Sequence, residues 1–119
     1  MSIKLRFDKH PKYPGLRVIT EDESLLTVAR MMNSDLQSPE SARDFAEQLR
    51  SVVARTMKPF EGGGNAYVIK AGPQHSQVWP DYFPNPPPVV TVDTQDLIDA
   101  IEAWAAHLEQ KLKATGSYL

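Results

Sequence analysis

Residues 3–8 alternate along the chain. Ile3, Leu5 and Phe7 fall on one side and Lys4, Arg6 and Asp8 on the other. A period of two is the mark of a half-buried strand. KHPKYPG interrupts the pattern with two prolines and Gly15, and LRVIT resumes it with Leu16, Val18 and Ile19. Two strands joined by a proline-rich turn predict a hairpin. The period then lengthens. EDES has the acidic, cap-forming character of a helix start, and Leu25, Val28, Ala29, Met32 and Leu36 follow at helical spacing. SPES is a second start signal, with Ser38 able to cap and Pro39 suited to the first helical position. Ala42, Phe45, Ala46, Leu49, Val52 and Val53 form the next apolar stripe. Lys58-Pro59 is the expected stop, with the helix running to Met57.

Beyond the glycines, NAYVIKAG is rich in strand formers, and SQVWPDYF reads as its return strand through GPQH. NPPPVVTV leads stiffly into one more short strand, its prolines confined to an edge or loop. Asp93 or Thr94 then caps a last helix. Its stripe is Leu97, Ile98, Ile101, Trp104, Ala105, Leu108 and Leu112, and GSYL is a tail. Short turns between strands favour antiparallel pairing. The expectation is one α+β domain over residues 1–119, a mostly antiparallel sheet of about five strands with three helices packed on it.

The run FEGGGNAYVIK, from Phe60 to Lys70, has the residue types of a phosphate-binding loop. Such a loop needs a strand before its glycines and a helix after them, so that free helix N–H groups meet the phosphate. Here a helix precedes and a strand follows, and Lys70 is not followed by Ser or Thr. The run is therefore expected to be a helix-to-strand turn in which glycine supplies positive φ. Contact between this loop and a protein partner is a further reading.

Composition narrows the classes. Hydrophobic residues make up 41% and charged residues 24%, which favours a folded globular chain over a disordered one. The absence of cysteine excludes disulfides and thiolate chemistry. No apolar run resembles a signal peptide or a bilayer span, so a cytoplasmic protein is expected. A formal net charge of −2 lends no support to nucleic-acid binding, which calls for a basic patch.

Catalytic signals are sparse. His10, His75 and His107 have no partners at metal-ligand spacing. No GxSxG is present, and Ser76 next to His75 would face the opposite side of a strand. Carboxylate pairs such as Asp96/Asp99 are ordinary helix surface. An enzyme is the less favoured class, and no cofactor or metal is suggested. One rival remains, a small ligand-binding domain or enzyme using the His75/Asp81 region.

The unusual stretch is WPDYFPNPPP. At least one of Trp79 and Phe83 is expected to pack onto the helices. The functional reading is an aromatic and acidic ridge on a rigid loop, a surface that loses little entropy on docking.

Three segments carry a resemblance: the SLLTVARMM helix, the GNAYVIKAG strand with VWPDYF after it, and VVTVDTQDLIDAIEAWAAHL, together spanning most of residues 24–112. In these the chain resembles the small bacterial immunity proteins of contact-dependent growth inhibition and related polymorphic toxin systems. The resemblance implies a non-enzymatic cytoplasmic inhibitor. Its partner would be the C-terminal toxin domain of a cognate effector, often a nuclease, with no direct contact to nucleic acid or membrane. The residues expected at the interface are Glu21, Asp22, Glu23, Glu61 and Asp81 as acids, with Trp79 and Tyr82 as aromatic anchors.

Overall fold

The computed structural model describes residues 3–9, 15–64, 66–82 and 88–116. The expected turn at 10–14 with His10, the start of a strand at Asn65, Phe83, the prolines at 84, 86 and 87 and the end of the tail lie outside the described residues. The elements run β1 (Arg6–Lys9), β2 (Leu16–Ile19), α1 (Leu26–Asp35), α2 (Pro39–Val53), β3 (Phe60–Gly63), β4 (Tyr67–Ala71), β5 (His75–Pro80), β6 (Val90–Asp93) and α3 (Thr94–Thr115). The class is α+β, as expected, with three helices and antiparallel strands. The strands form two sheets rather than one: a β1-β2 hairpin and a four-stranded sheet in the order β3-β4-β5-β6.

A side chain accounts for the division. Asn33, on α1, accepts the Val18 N–H through Oδ1 at 2.8 Å and donates from Nδ2 to the Val18 carbonyl at 2.9 Å. This two-way bond imitates a neighbouring strand and occupies the outward backbone groups of Val18 on β2.

Caps define the helices. Asp22 accepts the Ser24 N–H at 3.0 Å and starts a 3-10 turn, Glu23–Leu25, that leads into α1. Ser38 and Ser41 form a reciprocal capping box at the head of α2, followed by Pro39. Of the two candidate caps for α3, Asp93 serves, accepting from the Asp96 N–H at 2.9 Å. Thr94 is fully buried instead. Its hydroxyl donates to the Gly72 carbonyl at 2.7 Å, so the Ser76 hydroxyl 2.8 Å away must donate to it. The pair ties α3 to β5. Helix α2 ends at Val53, short of the expected Met57. Arg55 adopts φ 62°, and the N–H groups of Thr56 and Met57 fold back onto the Ser51 carbonyl.

The core lies between the helices and one face of the four-stranded sheet. Tyr67, Ile69, Ala71, Ser76, Val78 and Val92 point inward, against stripes that include Val28, Met32, Leu49, Leu97, Ile101 and Trp104. Arg43 to Glu109 at 2.6 Å and Arg50 to Glu102 at 3.1 Å bridge α2 and α3 at the surface. The β1-β2 hairpin closes the far side. Phe7 stacks on Trp104 at 5.4 Å and on His107 at 4.7 Å, which gives His107 a packing role.

The glycine run differs from expectation. Gly62 and Gly63 lie inside a strand, β3, and the turn begins only at Gly64. The positive φ values among the described glycines belong to Gly15 and Gly116, at the hairpin and the α3 C-cap. Gly64 is needed for close approach: a Cβ there would sit 2.6 Å from Asp35 Oδ2. The same carboxylate accepts from the N–H groups of Ala66 at 3.3 Å and Tyr67 at 3.2 Å, pinning the turn to the end of α1. Gly64→Ala should therefore lower stability by about 1–3 kcal/mol, the usual cost of overpacking. At Gly62 a Cβ meets only the Phe60 ring, at 3.6 Å. Gly62→Ala should be near neutral or slightly stabilising, since it also relieves backbone entropy. Urea midpoints of the two variants test the difference; equal losses would mean that Asp35 does not police the turn.

Candidate functional site

The inward face of the four-stranded sheet is filled by helices; among the described residues no helix or strand covers its other face. Antiparallel sheets tolerate this because each strand alternates buried and exposed residues. The pairings align Glu61, Lys70, Gln77 and Thr91 in one row across all four strands. The next row holds Gly63, Val68 and Trp79. Val89 continues it one residue beyond the Val78–Val90 pair and is 50% exposed. On the other side of the polar row His75 stands across from Asp93. The face thus carries an apolar strip, half-buried at Val68 and Trp79, beside a strip of mixed charge. A shallow cavity of about 630 Å³ opens over the polar row, lined by Glu61, Lys70, His75, Gln77 and Thr91 among others.

Two of the sequence-based candidates, Glu61 and Trp79, share this face, two strands apart. Asp81 follows the end of β5. Its N–H donates to the Ala66 carbonyl at 2.9 Å, and its side chain is exposed. Tyr82 is 55% exposed and crosses to the other side of the sheet end, where its ring meets Tyr67 edge-on at 6.3 Å. The ridge read as one unit is therefore split, with Trp79 on the open face and Tyr82 over the inward one.

No protein-family model, no curated protein and no solved structure matches the chain. Function has to be argued from the geometry.

Glu21, Asp22 and Glu23 sit apart from the sheet face, in the exposed turn after β2. Glu21 accepts from Arg6 at 3.0 Å. Asp22 is engaged as a cap, and the hydrogen bonds from the Ser24 side chain and backbone hold its carboxyl below the ordinary range. Glu23 is the acidic residue in the first turn of the 3-10 helix. His75 and Asp81 do not form an acid–base pair. They lie at opposite ends of β5, and a strand rise of about 3.3 Å per residue keeps them roughly 20 Å apart. Among the described residues no group of three His, Asp or Glu side chains is placed to hold a metal ion. None of the described helices is long and apolar enough to cross a membrane.

Sequence reasoning missed Val68, Lys70, Gln77, Thr91 and Val89. The alternation within YVIKA and HSQVW already separates Val68 and Lys70 from Ile69, and Gln77 and Trp79 from Val78. Which set faced water depended on where the helices packed.

Tyr67 anchors the end of this sheet. Burial, reinforced by the hydrogen bond with Tyr82, raises its hydroxyl from the usual 10.0 to about 12. A raised folded-state value means that the neutral hydroxyl is favoured by folding. That contribution is complete below pH 10 and is lost as pH rises through about 12. Melting temperatures measured across this window should fall for the wild type and fall less for Tyr67→Phe. Parallel curves would show that Tyr67 titrates no differently when folded.

Proposed function

We propose that this chain is an immunity protein, which binds the toxin domain of a cognate effector in the cytosol and neutralises it without turnover. The observation that carries the reading is the uncovered face of the four-stranded sheet. It presents Trp79, Val68 and Val89 as a rigid apolar strip next to Glu61, Lys70, Gln77 and Thr91. A half-exposed tryptophan held by strand pairing is a preorganised anchor, and little entropy is lost when a partner covers it. The resemblance of residues 24–112 to immunity proteins points the same way, and a nuclease is the toxin class it favours.

On this reading Glu61 and Trp79 contact the toxin directly. Asp81 and Tyr82 meet it at the end of β5, and the acidic turn of Glu21, Asp22 and Glu23 forms an outlying patch for a basic surface. Removing one partner of a close interfacial charge pair costs on the order of 2–5 kcal/mol. Asp81→Ala is expected to weaken the complex while leaving the fold intact, because its backbone bond to Ala66 does not need the side chain. Unchanged affinity for Asp81→Ala and Tyr82→Ala alike would remove that end of β5 from the interface.

The direct test is co-expression with the toxin domain encoded beside this gene. Rescue of growth together with a one-to-one complex is the expected result. A folded protein that gives neither would end the immunity reading.

A further inference from the structure

Among the described residues β3 is the outermost strand of its sheet and pairs with β4 alone. The Gly64 N–H bonds to the Tyr67 carbonyl at 3.0 Å. By the alternation of an antiparallel ladder, Gly62 and Phe60 also turn their backbone groups toward β4, while Glu61 and Gly63 turn theirs outward. Both outward residues are exposed. Natural edge strands are usually protected by proline, lysine, a bulge or a covering element. Within β3 none of these is present, and two of its four residues have no side chain to obstruct an approaching backbone.

Beside this edge lies a cleft of about 480 Å³ between β3, α2 and the end of α1. Of the two inward positions of β3, Phe60 lines the cleft and Gly62 contributes no side chain to the space beneath the sheet. Its walls include Met31, Phe45, Phe60 and Ile69, with Asp35 and Asp44 among them and, among the described residues, no Lys, Arg or His. Asp35 is committed to the turn. Among the described residues neither Asp44 nor Glu61 carries an ion pair.

We propose that β3 is an acceptor edge, which takes an extended segment of alternating basic and apolar residues from a partner protein as a fifth strand of the sheet. The backbone of the segment pairs with the outward groups of Glu61 and Gly63. Its inward apolar side chain fills the space left by Gly62, and its basic side chains, which alternate to the open face, meet Glu61. Main-chain pairing supplies affinity in such additions, and the pocket for alternate side chains supplies selectivity. The site shares Glu61 with the open face, but it does not depend on the inhibitory role.

The probe is a short blocked peptide alternating arginine and valine, titrated into the full chain and followed by amide NMR. Saturable binding is expected, with the Glu61 and Gly63 amides shifting most and gaining exchange protection. A glutamate–valine peptide, or the arginine peptide N-methylated along one edge, should bind about tenfold more weakly or worse. Glu61→Pro, which removes an outward N–H, should abolish the β3 shifts; Glu61→Ala, which keeps it, should weaken binding only several-fold. Gly62→Leu should plug the cleft and weaken binding about tenfold. No saturable shift at β3, or equal binding by the N-methylated peptide, would overturn the proposal. The peptide comparison uses the unaltered protein, so it decides the matter even where a variant fails to fold.

Discussion

Trp104→Ala is expected to cost about 3–5 kcal/mol, the range for deleting a buried large aromatic. Trp104 is 2% exposed, and its Nε1–H donates to the Leu36 carbonyl at 2.7 Å. That bond crosses from α3 to the end of α1, where the last carbonyls have no partner within the helix. The ring also carries Phe7 of the β1-β2 hairpin at 5.4 Å. One side chain therefore joins three parts of the molecule that are distant in sequence. With a net stability of about 5–15 kcal/mol typical of a domain, its loss leaves the protein marginal. Trp104→Phe separates the contributions. It keeps most of the apolar contact but leaves the Leu36 carbonyl without its donor, so a loss of about 1–3 kcal/mol is expected. Urea denaturation measures both, with an unchanged m-value if the denatured state is unaffected. If Trp104→Phe matched the wild type, the hydrogen bond would carry no net stability and packing alone would explain the alanine result.

Trp79→Ala should have the opposite profile, a small effect on folding and a large one on binding. Trp79 lies on the solvent-facing side of β5, half-buried against its neighbours rather than in the core. Its loss should lower the melting temperature by only a few degrees, on the order of 1 kcal/mol. At the centre of a protein interface, truncating a tryptophan typically costs about 2–4 kcal/mol, roughly 30- to 1,000-fold in Kd. Under the immunity function proposed above, calorimetric titration of the toxin domain with wild type and variant reads this directly. Val68→Ala, in the same row, should show a smaller loss in the same direction. A toxin complex of undiminished affinity with both variants would place the interface elsewhere, with the end of β5 at Asp81 and Tyr82 and the acidic turn at Glu21, Asp22 and Glu23 as the remaining surfaces.

Much of the fold was legible from local pattern. The alternation around Phe7 and Val18 marked the hairpin, the Ser38-Pro39 signal marked the head of α2, and the Trp104 stripe marked α3. These signals depend on residues within a few positions of one another, and local geometry decides them. The glycine run was misread because its constraint is not local. Gly64 is required by Asp35, twenty-nine positions earlier in the chain, and Gly62 and Gly63 are strand only because Tyr67–Ala71 pairs with them. The candidate site was half legible. Glu61 and Trp79, expected at the interface of an immunity protein, share a face. His75 and Asp81, close in sequence, are held apart by the straightness of β5.

The sequence by itself determined most of the element types, the head of each helix to within a residue and the α+β class, because hydrophobic period and capping chemistry act over one or two turns. Only the tertiary structure decided which sheet face is bare, which edge is open and why the strands divide into two sheets. Those outcomes rest on contacts between distant residues: Asn33 on Val18, Asp35 on the Gly64 turn, and Trp104 on Leu36. Each partner in such a contact is an ordinary residue in its own segment and acquires its meaning only when the other is brought against it.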